Sequence, residues 1–341
     1  MNDRIVENLA GGGFHRHEFF EEIISLDNLF SAWREFKKGK LKKQDIARFA
    51  LDIEEEIFLL HKELKSLTYR HKGYTHFVIC DPKRRDVHKA RARDRLLHHA
   101  IFRILEPVFD RGFIYDSFSS RKDKGIHKAH NRFQKFAWKL SRNNTKTVWT
   151  LKCDIRKFFD SVDHKILLEI LSKKLGPKTI GLLREIIDSF ETCAGKGIPI
   201  GNLTSQLFSN IYLNELDQFV KRKFCIKYYI RYADDFVILS SDKDYLNRLI
   251  PILAEFLDAK LKLAMHADKI IIRKWNQGID FLGYNMFPHY KILRTRTKQR
   301  ILRKVSKSSS FQSLQSYLGI LKHCRGHNIE RKIRQLYYGN S

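Results

Sequence analysis

Apolar residues return at helical spacing in the first 66 residues of the chain. Two series have an apolar side chain at roughly every third or fourth position: Phe19, Ile23, Leu26, Phe30 and Trp33, then Ile46, Phe49, Ile53, Ile57, Leu60 and Leu64. That spacing places the apolar side chains on one face of a helix. We therefore predict an antiparallel pair of helices that is joined near Lys38-Gly39-Lys40.

Residues 67–146 combine a short strand with long basic stretches. The pattern predicts a strand at 74–80, a basic run at 83–95, a helix through 96–105 and a second helix over 124–141. This segment has 20 Lys and Arg residues against 7 Asp and Glu residues. A polyanion is the expected partner of so basic a region.

Residues 146–273 alternate between apolar strands and helices. Strands are predicted at 148–153, 226–231, 236–239 and 269–273, and helices at 162–175, 204–219 and 243–260, with Ser161 and Thr204 as N-caps and Gly176-Pro177 as a stop. Apart from inserted helices, the order is βαββαβ, which forms one antiparallel sheet backed by helices. This topology places the end of the first strand beside the tip of the hairpin formed by the next two strands.

The last part of the chain is again basic. Residues 280–294 have the pattern of a small hairpin, and three short basic helices are predicted to follow. Residues 291–341 contain 13 Lys and Arg residues and a single acid, Glu330.

Three aspartates occupy the predicted meeting point of the sheet. Asp154 ends the first strand, and Asp234 and Asp235 interrupt an otherwise apolar hairpin. Uncompensated carboxylates at a buried sheet are costly, so cations are expected between them, and Mg²⁺ is the ion that suits carboxylate and phosphate oxygens. Two such ions, about 4 Å apart, activate a 3′-hydroxyl and hold a leaving pyrophosphate. The alternative to a metal site is an ordinary hairpin turn, because Asp is a common residue in turns. Asp160 and Asp163 are assigned to helix capping.

Composition narrows the class of protein. The 341 residues are 43% hydrophobic, which excludes a disordered chain, and carry a net charge of +27, which favours nucleic acid as the partner. No apolar run is long enough to span a membrane, and the first thirty residues lack a signal-peptide layout. Five scattered cysteines predict neither a disulfide framework nor a zinc site, and the expected location is the cytoplasm.

Five ordered motifs resemble those of the reverse transcriptases. They are Arg93 to Ala100, Ser117 to Gly125, Asp154-Ile155-Arg156-Lys157-Phe158-Phe159-Asp160, Tyr232-Ala233-Asp234-Asp235 and Phe281-Leu282-Gly283-Tyr284. The resemblance covers about 75–290, and the joint occurrence in order is more specific than any one motif. It implies an α+β right-hand polymerase with a βαββαβ palm, helical fingers, a small helical thumb and an N-terminal helical extension.

The implied domains divide the chain at three positions. They are an N-terminal helical extension (1–66), fingers (67–146), a palm (147–286) with a fingers-like helical insertion at about 177–200, and a basic helical thumb (287–341).

One segment points to a subgroup within the family. It is Ile200-Gly201-Asn202-Leu203-Thr204-Ser205-Gln206. Most retroelement polymerases have Gln-Gly, three residues and Ser-Pro at this place. The form found here resembles the reverse transcriptases of diversity-generating retroelements, which copy a template-repeat RNA with frequent errors at adenine. Group II intron and retron enzymes are the nearest alternatives, and a non-catalytic RNA-binding maturase is the alternative of another class.

The resemblance also implies roles for individual residues. Asp154, Asp234, Asp235 and the backbone oxygen of Ile155 would bind metal, and Lys269 would be a general acid. Lys83, Arg85, Phe159, Ile200, Gly201 and Gln206 would bind the dNTP, and Phe281, Leu282 and Gly283 would form the primer grip.

Several of these roles have simpler alternatives. Phe159 would exclude the ribose 2′-hydroxyl, whereas Phe158 is predicted to be a core residue. Lys83 and Lys269 are almost equally well explained as solvated surface lysines, and Ile200 as an ordinary core isoleucine. The His323-Cys324-x-x-His327 run has no partner pair, so it is not assigned to a metal.

The implied cofactor is a pair of Mg²⁺ ions, for which Mn²⁺ may substitute. The implied partners are template RNA, primer or cDNA, dNTPs and an accessory variability protein, which is a basic oligomeric helical bundle. Residues 1–66, with 11 Lys and Arg against 13 Asp and Glu, are one candidate surface for that bundle, and other surfaces serve equally. No membrane partner is expected.

Overall fold

A computed structural model of the chain describes residues 17–81, 83–307 and 310–338. The helices are α1 (Phe20–Ile24), α2 (Leu26–Phe36), α3 (Gln44–Leu51), α4 (Ile53–Lys65), α5 (Ala92–Asp110), α6 (Ile126–Leu140), α7 (Phe158–Ser161), α8 (His164–Ser172), α9 (Pro177–Asp188), α10 (Leu203–Gln218), α11 (Lys243–Leu261), α12 (Thr295–Ser306), α13 (Phe311–Leu321) and α14 (His327–Tyr338). The strands are β1 (Tyr74–Ile79), β2 (Arg85–Ala90), β3 (Trp149–Asp154), β4 (Tyr229–Tyr232), β5 (Asp235–Ser240), β6 (Ile271–Lys274), β7 (Ile279–Phe281), β8 (Tyr284–Met286) and β9 (Lys291–Leu293). No helix in these ranges is long and apolar enough to cross a bilayer.

The chain divides into two compact units. The first consists of Met1–Ile79, Arg84–Gly112 and Lys157–Tyr212, and the second of Cys80–Lys83, Phe113–Arg156 and Leu213–Ser341. The subdomain boundaries expected from the sequence remain predictions.

The predicted helix pair of the first unit is in fact four helices, α1 to α4. Ser25 has an extended backbone and its hydroxyl accepts a hydrogen bond from the Asn28 N–H, so it ends α1 and caps α2. Asp52 separates α3 from α4. The predicted turn near Gly39 is confirmed, and that glycine has a φ of +68°. The Asn28 amide also donates to the Ala100 carbonyl at 3.1 Å, which ties α2 to α5.

The β1–β2 hairpin contains a strand that the pattern did not predict. β1 pairs antiparallel with β2 from Tyr74↔Ala90 to Ile79↔Arg85. Only Val87 and Ala90 of β2 are buried. A strand that shows no alternation of apolar and polar side chains has no period of two by which to recognise it.

Helix α8, at the place of the first predicted helix, belongs to the first unit, and the four strands of the predicted βαββαβ order belong to the second unit. These four strands lie in the order β4-β5-β3-β6 and every neighbouring pair is antiparallel. Helices α6 and α11 pack on this sheet. The core on the α6 side includes Phe133, Ile230, Val237 and Trp275.

Three local expectations were wrong. The N-cap of α8 is Asp163, whose carboxylate accepts from Ile166 N–H at 3.2 Å, and not Ser161, which ends α7. Helix α10 begins one residue before Thr204, which is buried inside it. The hairpin at 280–294 has a third strand, so β7, β8 and β9 form a separate sheet.

The three helices predicted at the end of the chain are present as α12, α13 and α14. The expectation that all three are basic was wrong for α13, which contains no Lys or Arg. Its side chains instead supply Leu314, Leu318 and Leu321 to the core of the second unit.

Candidate active site

Three aspartates meet at one edge of the four-stranded sheet. Asp154 at the end of β3 lies opposite Asp235 at the start of β5. Tyr232 pairs with Asp235, so only Ala233 and Asp234 remain to form the turn. The Ile155 N–H donates to the Asp234 carbonyl at 3.2 Å, which fixes the turn against the end of β3.

The site concentrates negative charge. Burial, followed by the charges of Asp154 and Asp235, raises the pKa of Asp234 to about 6. Burial also raises the pKa of Asp235, although Lys152 lies 3.8 Å from its carboxylate and opposes that shift. Burial and the same two acids, Asp154 and Asp235, raise the pKa of the Cys153 thiol to about 12. Burial and neighbouring carboxylates therefore act together on the pKa values of Asp234, Asp235 and Cys153.

The site fits a divalent cation. The Oδ1 atom of Asp235 is buried and has no hydrogen-bond partner within the part of the chain that the structure describes. No three Asp, Glu, His or Cys side chains among the described residues form a ready-made metal cage. Mg²⁺ does not need one, because it retains waters and takes one or two carboxylates together with substrate phosphates. Asp154 and Asp234 would hold such an ion, and Asp235 would lie beside them.

Lys269 lies at this site. It ends a short turn just before β6, and its Nζ is 2.6 Å from Oδ1 of Asp154. The side chain is 41% exposed, so solvent and substrate both reach it. The geometry brings this lysine to the carboxylates, as the motif register implied, while its role as a general acid stays a prediction.

A buried ion pair behind the turn was missed by sequence analysis. The Arg231 guanidinium donates to the Asp217 carboxylate from Nε at 2.8 Å and from Nη2 at 2.7 Å, and both side chains are fully buried. The Tyr229 hydroxyl donates to the same carboxylate at 2.8 Å. Nη1 of Arg231 donates to the Ala233 carbonyl at 3.2 Å.

Arg231 holds the turn in a conformation that its sequence does not favour. Ala233 has a φ of +55°, a region that is costly for a residue with a side chain. A charged donor on its carbonyl offsets that cost and fixes the backbone that carries Asp234. The signal in the sequence is an arginine in the middle of an apolar strand, which requires a buried acid.

The first unit contains the two phenylalanines of the Asp154 motif. Phe158 is 2% exposed and packs in the core with Tyr212. Phe159 is half-buried, and its carbonyl accepts from Ile198 N–H at 2.8 Å. Phe158 is thus the core residue, as predicted, and Phe159 is the ring with an exposed surface.

The loop at 200–202 is joined to β2 within the first unit. The Ile200 carbonyl accepts from His88 N–H at 3.0 Å, and the Asn202 amide donates to the His88 carbonyl at 2.9 Å. Gly201 has a φ of +114°, and a Cβ there would lie 2.8 Å from Val87. Glycine is therefore required at 201, and Asn202, which sequence analysis assigned no role, positions the loop.

The remaining dNTP-binding candidates are exposed. Arg85 is the first residue of β2, Gln206 lies on α10 with its side chain in solvent, and Lys83 is exposed in the loop before β2. Lys83 belongs to the second unit and contributes positive charge that lowers the pKa of Asp235, though less than burial raises it.

The primer-grip candidates form the turn between β7 and β8. Leu282 and Gly283 have positive φ values of 48° and 90°, which suits a two-residue hairpin turn. The Phe281 ring is fully buried against Phe133, so its side chain stabilises the core. Only the turn itself is accessible to a nucleic acid.

Comparison with known proteins identifies the family. Residues 71–286 match the sequence profile described as reverse transcriptase (RNA-dependent DNA polymerase), which is more than half of the chain. This chain belongs to the reverse transcriptase family. The family predicted from the five ordered motifs is thereby confirmed. Enzymes of this family use divalent metal ions.

Two curated relatives of this reverse transcriptase are bacterial proteins. Protein YkfC of Escherichia coli K12 is 25% identical over 63% of this chain and 64% of its own length. The group II intron-encoded protein LtrA of Lactococcus lactis is 23% identical over 82% of this chain and 57% of its own length. The chain thus spans less than two thirds of either protein.

A solved structure supports the fold alone. Apo telomerase from Candida tropicalis matches with a TM-score of 0.51 at 13% identity, over 72% of this chain and 52% of that one. The reverse transcriptase fold predicted from the sequence is confirmed at this level.

Proposed function

We propose that this reverse transcriptase copies RNA into DNA by two-metal chemistry at Asp154, Asp234 and Asp235. Mg²⁺ bound there would activate the primer 3′-hydroxyl and neutralise the leaving pyrophosphate. The observation that carries the proposal is the convergence of three half-buried carboxylates, one with a pKa raised to about 6 and one with a buried oxygen that has no hydrogen-bond partner among the described residues. Such an arrangement is costly unless a cation binds it.

The chain's own residues have separate tasks in this reaction. Asp154 and Asp234 would hold the ions and so orient the primer terminus and the triphosphate. Lys269, 2.6 Å from Asp154, would give a proton to the leaving pyrophosphate. Its carboxylate contact keeps the ammonium at the site before substrate arrives.

The proposed dNTP contacts follow the register of the motifs along the chain. Arg85 and Lys83 would contact the triphosphate, since guanidinium and ammonium groups bind phosphate oxygens. Phe159 would lie against the sugar and leave no room for a 2′-hydroxyl, so dNTPs would be preferred over NTPs. Gly201 and Gln206 would line the same subsite.

We further propose that the product is error-prone cDNA, as in a diversity-generating retroelement. The support is Ile200 in place of the usual glutamine: an aliphatic side chain offers no hydrogen bond with which to test the new base pair. The partners would be a template-repeat RNA and the basic accessory bundle. A group II intron-like or retron enzyme is the second candidate, and the similarity to LtrA favours it.

Primer extension on an RNA template tests the catalytic proposal. Wild type should extend with Mg²⁺ and stop in EDTA, and Asp234→Asn should lose on the order of 10³-fold in rate, because metal charge stabilisation contributes several kcal/mol. Asp160→Asn, an exposed acid in the same motif, is the matched control and should remain active. Equal extension by wild type and Asp234→Asn would show that the carboxylates are not the site.

Copying fidelity tests the subtype. Ile200→Gln restores an amide at the proposed dNTP subsite and should reduce misincorporation opposite template adenine. Sequencing of cDNA from an adenine-rich template measures this directly. Ile200→Leu keeps an aliphatic side chain and should retain the wild-type error spectrum. If Ile200→Gln copies adenine with unchanged error, the mutagenic assignment fails while the polymerase assignment stands.

A further inference from the structure

A basic recess lies on the second unit, away from the three aspartates. It has a volume of about 420 Å³, and six charged residues line it: Asp116, Arg132, Lys135, Lys139, Lys221 and Lys227. Five are cations and one is an acid. We call it the α6 recess, since three of the cations lie on that helix.

The single acid, Asp116, holds two of the cations in place but does not cancel the positive charge of the recess. Oδ1 of Asp116 accepts from Nε of Arg132 at 2.6 Å, and Oδ2 accepts from Nζ of Lys221 at 3.0 Å. The Asp116 side chain is 6% exposed, and its carbonyl accepts from Arg231 N–H at 3.0 Å, so the acid is anchored to β4. One buried carboxylate therefore holds two cations in fixed positions, with net positive charge left over.

Helix α6 adds Lys135 and Lys139 to the Arg132 that Asp116 holds. Arg132, Lys135 and Lys139 are spaced by three and four residues, which places them on one face of the helix. Like charges at that spacing destabilise a helix, and α6 contains no Asp or Glu among its fifteen residues. The exposed Lys227 extends the same surface from the segment before β4. A helix face with three cations and no acid of its own suits a polyanion.

Aromatic rings accompany the cations. Tyr115 is 65% exposed, and its ring lies 3.5 Å from Nζ of Lys124 and 4.9 Å from the guanidinium carbon of Arg132. Tyr228 lines the recess and is half-buried. An exposed ring beside a row of cations is the arrangement that binds single-stranded nucleic acid, because unpaired bases stack on the ring while phosphates contact the cations.

The recess is separate from the catalytic acids. Tyr228 lies before the start of β4 and Asp234 beyond its end, so the four residues of β4, about 13 Å of extended strand, separate the two. We propose that the α6 recess and Tyr115 bind the backbone of single-stranded nucleic acid outside the polymerase site. The strand is either the RNA template or the cDNA product, which share this chemistry. The proposal does not depend on the polymerisation reaction.

Lysine footprinting tests the contact directly. The full-length Asp234→Asn protein is acetylated with and without a single-stranded RNA or DNA oligonucleotide, in the absence of dNTPs, and the labelled lysines are quantified by mass spectrometry. Lys135, Lys139 and Lys227 should be protected severalfold. Lys42, Lys62 and Lys65 are equally exposed, lie in the N-terminal extension, and should stay labelled. Equal labelling of the recess lysines with and without nucleic acid would overturn the proposal.

Substitution separates this site from general basic charge. A variant with Lys135→Gln, Lys139→Gln and Lys227→Gln should reduce the salt dependence of single-strand affinity by about 2 in log–log slope, since each lost phosphate contact contributes about 0.7. The matched variant with Lys42→Gln, Lys62→Gln and Lys65→Gln loses the same charge and should keep the slope. Equal changes in both variants would show that net charge alone is responsible.

Tyr115 tests the preference for single strands. Tyr115→Ala should weaken binding of single-stranded oligonucleotides about fivefold or more, because one stacked base contributes at least about 1 kcal/mol. Tyr115→Phe keeps the ring and should bind as wild type. A larger loss with RNA than with DNA identifies the template as the ligand, and the reverse identifies the product. An equal loss with duplex would contradict the proposal.

Discussion

Two aspartates near β4 show opposite ways of placing a carboxylate inside a protein. Asp217 is fully buried and accepts from both Arg231 and Tyr229 at 2.7–2.8 Å. Asp234 lies at the tip of the β4–β5 hairpin among other acids, and its pKa is raised to about 6 by burial and by Asp154 and Asp235. The first carboxylate is satisfied by the fold. The second is left for a ligand, which is what distinguishes a structural acid from a candidate metal ligand.

Arg231 links Asp217 to the turn that carries Asp234. Arg231 donates to Asp217 with two of its nitrogens and to the Ala233 carbonyl with a third. The satisfied pair therefore supports the strained turn that presents the unsatisfied acid. This is a positioning role for Arg231, and it leads to the first two predictions.

The largest expected effect on stability separates the two aspartates. Asp217→Asn should lower the free energy of unfolding by about 3–5 kcal/mol, because it leaves the Arg231 charge buried without its partner. Asp234→Asn should leave stability unchanged or higher, because it removes one of three like charges. Urea titration of both variants measures the difference. Equal destabilisation of the two would contradict the comparison.

Replacing Asp217, Tyr229 and Arg231 together should slow the reaction without the loss of stability that Asp217→Asn causes. The triple variant Asp217→Leu, Tyr229→Phe, Arg231→Met leaves no buried charge and should be more stable than Asp217→Asn by about 2 kcal/mol or more. Primer extension should still be slowed, because the Ala233 carbonyl has lost its charged donor. The expected signature is a higher Mg²⁺ concentration for half-maximal rate. A triple variant with the wild-type rate and Mg²⁺ requirement would remove the positioning role.

His130 is a third kind of buried titratable group, because its side chain is neutral in the folded protein at neutral pH. Its side chain is fully buried beside the Phe281 carbonyl, and burial, then the charge of Lys291, lowers its pKa to about 4. Since this is below the unfolded value of about 6.5, the stability linked to His130 is complete above pH 6.5. It is lost as pH falls towards 4, by about 2–3 kcal/mol.

The unfolding free energy of His130→Gln should therefore vary less between pH 6.5 and 4 than that of wild type. Glutamine keeps a donor for the Phe281 carbonyl and does not titrate. The control is His289→Gln, whose side chain is exposed and which should retain the wild-type profile. Parallel profiles for wild type and His130→Gln would rule out this histidine as the cause.

The sequence predicted that Asp154 and Asp234 would converge, but it did not predict the buried ion pair that holds the Asp234 turn. Asp154 and Asp234 stand 80 residues apart, and the βαββαβ order alone predicted that they would meet. The Asp217–Arg231 pair depends on where α10 ends relative to β4, and no local pattern encodes that distance. The missed strand β2 buries only its third and sixth residues, so it shows no period of two.

The sequence by itself determined the family, through its ordered motifs, and the succession of the sheet's strands and the acids at the sheet edge, through periodicity and spacing along the chain. Tertiary structure alone decided which acid is neutralised and which is not, because a carboxylate's charge state depends on groups brought near it in space. It likewise decided that five cations from separate segments share one recess with a single acid.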